Sequence, residues 1–149
     1  MRAVVQRVTS AQVSVADRVL SRIGRGLLVF LGVEREDASD DLTYVANKVR
    51  DLRIFSDEHG RMNRSAVDVG AEILVVSQFT LSGDCRRGRR PSFDHAAAPD
   101  VARAMYEAFV QALHAMGLPV QTGEFQAMMQ VELINDGPVT ILLDSRKHF

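Results

Sequence analysis

The sequence has one cysteine, Cys85, in 149 residues, so no internal disulfide can form and the chain suits a reducing compartment. It has no long hydrophobic run. Nowhere do about eighteen apolar residues follow one another, which excludes a membrane-spanning helix. The beginning, MRAVVQRVTSAQVSV, is interrupted by Arg2, Gln6 and Arg7 and lacks the apolar stretch of a signal peptide. An excess of one charge is also missing. The 18 basic and 19 acidic residues leave a net charge of −1, so no global field draws in a polyanion, and nucleic acid must be met by a local patch. The histidines, His59, His95, His114 and His148, are scattered, and no H-E-x-x-H occurs, which argues against zinc. No Rossmann or P-loop glycine pattern follows an expected strand. No repeat, low-complexity run or linker is present. The expectation is one domain over residues 1–149, cytoplasmic, with no metal, cofactor or membrane contact.

What is present is ordinary globular material, 46% hydrophobic and 25% charged. Residues 2–9 and 11–16 mix β-branched side chains with partial alternation and read as two strands, and 18–23 continues the meander. LLVFLGV (27–33) is a continuous apolar run suited to a strand buried on both faces. Leu42, Val45, Val49 and Leu52 share one face of a helix, with Asp37 or Ser39 as its cap and Asp40 and Asp41 in the first turn. SDEHGRMNRS (56–65) reads as a polar loop and AEILVVSQFTL (71–81) as a second apolar strand. Its alternation puts Ser77, Phe79 and Leu81 on one face, and Gln78 and Thr80 on the other. Residues 82–99 have no periodicity, and a loop of that length is usually functional or disordered. A second helix runs from Pro99 to Met116, with His114 on its surface. Its stripe is Val101, Met105, Ala108/Phe109, Ala112/Leu113 and Met116; Gly117 and Pro119 stop it. From Val120 onward the chain reads as strands broken at Gly123-Glu124 and at Asp136-Gly137-Pro138, the latter a turn closing a terminal hairpin. These elements predict an α+β fold with a mostly antiparallel or mixed sheet of about seven strands and two main helices.

Three stretches carry candidate chemistry. In GDCRRGRR, the arginines around Cys85 would favour its thiolate, and His95 lies ten residues on as a possible base. No recognisable third group orients that histidine. A Cys85/His95 hydrolase of small esters is one reading of these residues. Arg86, Arg87, Arg89 and Arg90 repel one another, so they call for an acidic partner or for neutralisation by Asp84 and Asp94. Arginine's planar fork suits phosphate oxygens, and a non-catalytic RNA-binding module is a second reading. Ser77, Gln78 and Thr80 form a polar edge at the end of an apolar strand, but no Ser-His-Asp order accompanies them.

Taken together, VVQRV (4–8), RIFSDEHGRMN (53–63), SQFTL (77–81), GDCRRGRRPSF (83–93) and QTGEFQAMMQVELINDGPVT (121–140) resemble the D-aminoacyl-tRNA deacylases. These enzymes hydrolyse the ester joining a D-amino acid to the 3′ end of tRNA. The resemblance runs from the first residues to Thr140, with one departure, Cys85, where relatives usually carry threonine. It implies a homodimer with active sites at the interface, and neither cofactor nor DNA partner. Gly137-Pro138 would be a cis peptide reaching into the active site of a second copy. There its rigid main-chain atoms would reject an L side chain and admit a D one. Arg7 would brace the dipeptide. Phe125 and Met129 would line the pocket for the terminal adenosine, a base stack on Phe being worth roughly 1–3 kcal/mol. Ser77, Gln78, Phe79 and Thr80 would be the catalytic stretch, supplying pocket walls and main-chain N–H donors to the developing oxyanion. The 2′-hydroxyl of the adenosine would assist, since no base stands near Thr80 to make it a nucleophile. Arg86, Arg87, Arg89 and Arg90 would meet tRNA phosphates. Glycyl-tRNA would also be a substrate, because a filter against L side chains has nothing to push against in glycine.

Overall fold

A single 14-residue strand, β1 (Arg2–Val15), replaces the two short strands expected at the start of the chain. The computed structural model describes all residues, Met1–Phe149. The alternation of β1 falters near Thr9 and Ser10 because the strand changes partner there. Residues 11–15 pair with β2 (Arg18–Ile23), and residues 2–8 with β3 (Gly26–Gly32). The β1–β2 turn is made by Ala16 and Asp17, both left-handed (φ 47° and 62°), as the twist of a tight hairpin favours.

After β3 come α1 (Ser39–Asp51), a small hairpin of β4 (Phe55–Ser56) and β5 (Met62–Arg64), and the short α2 (Ala66–Val69). The polar segment expected as a loop is thus a hairpin, its turn held by the Asp57 carboxylate. That group accepts from the His59 and Arg61 N–H groups, each at 2.9 Å. Neither Asp37 nor Ser39 caps α1. The N-cap is Ala38, whose N–H donates to the Asp41 carboxylate at 2.8 Å. Asp37 is engaged elsewhere, by the Met1 ammonium at 2.5 Å and the Glu34 N–H at 2.7 Å.

Next follow β6 (Glu72–Ser77), α3 (Pro99–Ala115), β7 (Val120–Thr122) and β8 (Gln130–Asp144). The sheet order is β2-β1-β3-β6-β7, with β8 along the other edge of β1. Pairs β3–β6 and β6–β7 are parallel and the rest antiparallel, so the fold is α+β with a mixed sheet. Gly26 permits the β3–β6 approach: a Cβ there would lie 1.9 Å from the Glu72 carbonyl oxygen. The sheet curls until the Ser21 hydroxyl donates to the Thr122 carbonyl at 2.8 Å, bringing β2 to β7.

The run in β3 is buried on both sides, as expected. Leu27, Val29 and Leu31 pack with Val45 and Val49 of α1 and with Phe109 and Leu113 of α3. Leu28 faces the opposite way, with Val8, Val13, Ile23, Leu74 and Val76. The buried stripe of α3 is Tyr106, Phe109, Val110 and Leu113; Val101 and Ala108 are exposed, as is His114.

Two further expectations about strands fail. β6 stops at Ser77, because its partner β3 ends: Leu31 pairs with Ser77 and its carbonyl accepts the Gln78 N–H at 2.8 Å. Phe79–Ser82 is a 3-10 turn, so strand alternation does not extend through Phe79, Thr80 and Leu81. The terminal hairpin is also absent. β8 runs in one direction along β1 throughout, with Thr140 opposite Gln6 and Asn135 opposite Val8. Residues 136–139 are an excursion from the ladder, facing Arg7 alone.

Candidate active site

The excursion is stitched by side chains. The Asn135 Oδ1 accepts the Val139 N–H at 2.9 Å, and its Nδ2 donates to the Thr140 hydroxyl at 3.0 Å. The Gln6 amide donates to the same hydroxyl at 3.1 Å. Arg7, only 8% exposed, lies beneath. Its Nη1 donates to the Ile54 carbonyl at 2.5 Å, and its Nε donates to the Asp136 carbonyl at 3.2 Å. The same Nε is 3.1 Å from the Asp136 carboxylate. Residue chemistry alone would leave a strand arginine in solvent; here it joins β1, the segment before β4, and β8. The Gly137-Pro138 peptide is cis, and both residues are exposed. Gly137 has φ 127°, and a Cβ on it would lie 3.0 Å from the Arg7 Nη2 and 2.8 Å from the Val139 Cγ2.

The end of β6 opens onto an apolar cavity of about 570 Å³, where Ser77, Gln78 and Phe79 face Phe125, Met128 and Met129. Pro99 and Ala102, in the first turn of α3, form another wall. The structure therefore brings the SQF stretch and the Phe125/Met129 pair together. Thr80 does not line the cavity; its hydroxyl accepts from the Gln78 amide. Phe79 is 57% exposed and packs edge-on against Phe93, ring centroids 5.0 Å apart. The opening N–H groups of the 3-10 turn, on Phe79 and Thr80, have no partner within it and are available as donors. Phe125 lies between Tyr106, at 5.9 Å, and the Arg103 guanidinium, at 4.6 Å. The Tyr106 hydroxyl donates to the Val75 carbonyl at 2.8 Å, and burial pushes its pKa up to about 12. Gly137 and Pro138 are not part of this cavity in the single chain.

The arginine stretch is a loop whose ends are tied by the Asp84–Ser92 backbone pair, at 2.7 and 3.0 Å. Arg86 folds back on Asp84, with contacts of 2.6 and 2.9 Å, and holds that carboxyl well below the usual carboxylate range. Arg87, Arg89 and Arg90 are exposed and make no ion pair. Cys85 and His95 both border a second, charged crevice of about 1100 Å³. No hydrogen bond joins them. Arg146 on the far side pairs with Glu36 at 2.7 Å. No group of three His, Cys, Asp or Glu side chains is arranged to hold a metal ion, and no helix is long and apolar enough to cross a membrane. Sequence reasoning passed over Asn135, Tyr106 and Arg103. Asn135 belongs to a turn-forming stretch, and Tyr106 and Arg103 lie on α3 outside the apolar stripe expected for it.

The family model described as D-Tyr-tRNA(Tyr) deacylase matches residues 4–144. The chain belongs to the D-Tyr-tRNA(Tyr) deacylase family. Among the relatives, proteins named D-aminoacyl-tRNA deacylase from Thermotoga petrophila and Koribacter versatilis are each 59% identical over 149 residues, with both chains fully covered. The likeness thus continues past Thr140, through the end of β8. A solved structure titled c-Myc DNA Unwinding Element Binding Protein is 42% identical with a TM-score of 0.92, covering 97% of this chain and 98% of its own. Another, titled as a probable eukaryotic D-amino acid tRNA deacylase, is 21% identical with a TM-score of 0.79, covering 95% and 97% respectively. That likeness is one of fold.

Proposed function

We propose that this protein hydrolyses the ester bond between a D-amino acid and the 3′-terminal adenosine of tRNA, and acts in translation quality control in the cytoplasm. The observation that carries this reading is the cavity that joins Ser77, Gln78 and Phe79 to Phe125 and Met129 in a member of this family. Its size and mostly apolar lining suit a nucleoside, with Ser77 and Gln78 at the end where the ester would sit and Gln126 beside Phe125. Catalysis is positional. Phe125 and Met129 hold the adenosine, and Phe79 and Thr80 offer N–H groups to the developing oxyanion. The adenosine 2′-hydroxyl assists the attack of water. Thr80 has no base beside it and acts through its backbone.

The chirality filter is Gly137-Pro138, braced by Arg7 and delivered by a second copy of the chain. Two facts support a homodimer. The dipeptide is exposed and outside its own chain's cavity, and Ile134 and Leu142 on the same strand present apolar side chains to solvent. Arg87, Arg89 and Arg90, with Arg86, meet the tRNA phosphates.

The test is hydrolysis of D-tyrosyl-, L-tyrosyl- and glycyl-tRNA by the purified protein. The D and glycyl esters should be cleaved and the L ester spared, and Cys85→Ser should retain activity. Failure to cleave any ester while tRNA still binds would leave an RNA-binding module built on the arginine loop. Loss of activity in Cys85→Ser would favour the Cys85/His95 chemistry.

A further inference from the structure

The cavity wall formed by residues 125–129 belongs to a connection, 123–129, with little backbone support. The Gly123 N–H reaches the Val75 carbonyl at 3.1 Å, and the Ala127 N–H reaches the Glu124 carbonyl at 3.3 Å. Gln126 sits in the left-handed region, φ 65°, which a non-glycine residue adopts only when its surroundings hold it there. Phe125, next to it, is half-buried and touches Tyr106 on one side. What holds this pair from outside is one side chain of α3. The Arg103 guanidinium carbon lies 4.6 Å from the Phe125 ring centroid, and its Nη2 donates to the Gln126 Oε1 at 3.4 Å. Arg103 makes no ion pair with any carboxylate, so nothing else fixes or neutralises it.

We infer that Arg103 is a positioning residue for the adenosine end of the site. Its guanidinium clamps Phe125 and Gln126, two consecutive wall residues, so that the Phe125 ring stands ready for the terminal base. The inference rests on the nucleoside reading of the cavity. A guanidinium over an aromatic ring is planar against planar, a geometry lysine shares only in part. Removing it leaves Phe125 held only by Tyr106 and the core beneath, and the Gln126 side chain without its donor. Both changes blur the shape of the wall while leaving the Ser77–Thr80 stretch untouched.

The test compares Arg103→Gln and Arg103→Lys with the wild-type chain. In Arg103→Gln, KM for D-tyrosyl-tRNA should rise about 2–5-fold, the size of an exposed cation–π contact, with kcat unchanged and Tm lowered by no more than about 4 °C. The dissociation constant of adenosine 5′-monophosphate, followed by NMR titration, should rise by the same factor. Arg103→Lys should recover only part of both, since it restores the charge without the planar fork. If KM and nucleotide affinity are unchanged in Arg103→Gln while the wild type cleaves the D ester, the clamp is refuted and the cavity reading stands. A parallel fall of kcat and Tm would also refute it, since that is loss of fold rather than loss of position. If the wild type neither cleaves the D ester nor binds the nucleotide, the cavity reading fails and takes the clamp with it.

Discussion

Arg7→Met tests the brace under the Gly137-Pro138 excursion. Methionine keeps much of the arginine stem's volume inside the sheet and removes only the guanidinium. Two backbone carbonyls then lose a donor: Ile54, at a buried contact of 2.5 Å, and Asp136, at 3.2 Å. A buried acceptor left without a partner costs about 1–3 kcal/mol. The Asp136 carboxylate is 41% exposed on its side chain, so water replaces that ion pair and its loss adds about 0–1 kcal/mol. Relief from burying a charged group offsets part of the sum. The net expectation is a loss of about 2 kcal/mol, a substantial share of the roughly 5–15 kcal/mol that keeps a domain folded. In urea unfolding this is a midpoint lowered by about 1 M at unchanged slope, for a slope of about 2 kcal/mol/M. The second readout is stereoselectivity, where the ratio of D- to L-tyrosyl-tRNA hydrolysis should fall as the dipeptide loses its support. A midpoint shift under about 0.25 M would refute the energetic reasoning. A destabilised variant that still discriminates fully would refute the idea that Arg7 positions the filter.

Other consequences concern the scaffold. Gly26→Ala would place a methyl group 1.9 Å from the Glu72 carbonyl oxygen, forcing β3 and β6 apart where their parallel pairing starts. The expected cost is about 1–3 kcal/mol, and an unchanged Tm would contradict it. Tyr106 is a phenol with its pKa pushed up from 10 to about 12 by burial, so the folded state holds the proton more tightly than the unfolded chain. The stability linked to this group is fully present below pH 10 and is lost as pH rises through 12. Tyr106→Phe should flatten that alkaline loss. At neutral pH it should cost about 1 kcal/mol for the bond to the Val75 carbonyl, read from denaturation curves at pH 7 and pH 11.

What local sequence determines is anything with a short period. The run at 27–33 suited a strand buried on both faces, and β3 covers Gly26–Gly32; the spacing of Val45 and Val49 set the inward face of a helix. The arginine stretch lacked any period and is a loop. The stretches that carry the family resemblance were legible as well, because each is contiguous in the sequence. Tertiary structure decided the features that depend on a partner far along the chain. Whether Thr9 and Ser10 end a strand depends on β2 and β3 sharing one edge of β1. Whether Asn135-Asp136-Gly137-Pro138 closes a hairpin or leaves and rejoins one strand depends on Val8 and Gln6 pairing on either side of Arg7. Turn-forming residues are equally compatible with both outcomes. Likewise, the polar end of β6 becomes a site only when the turn at 123–129 and the first turn of α3 close around it. Hydrophobic periodicity reports which face of an element is buried, and it carries no information about which buried faces meet.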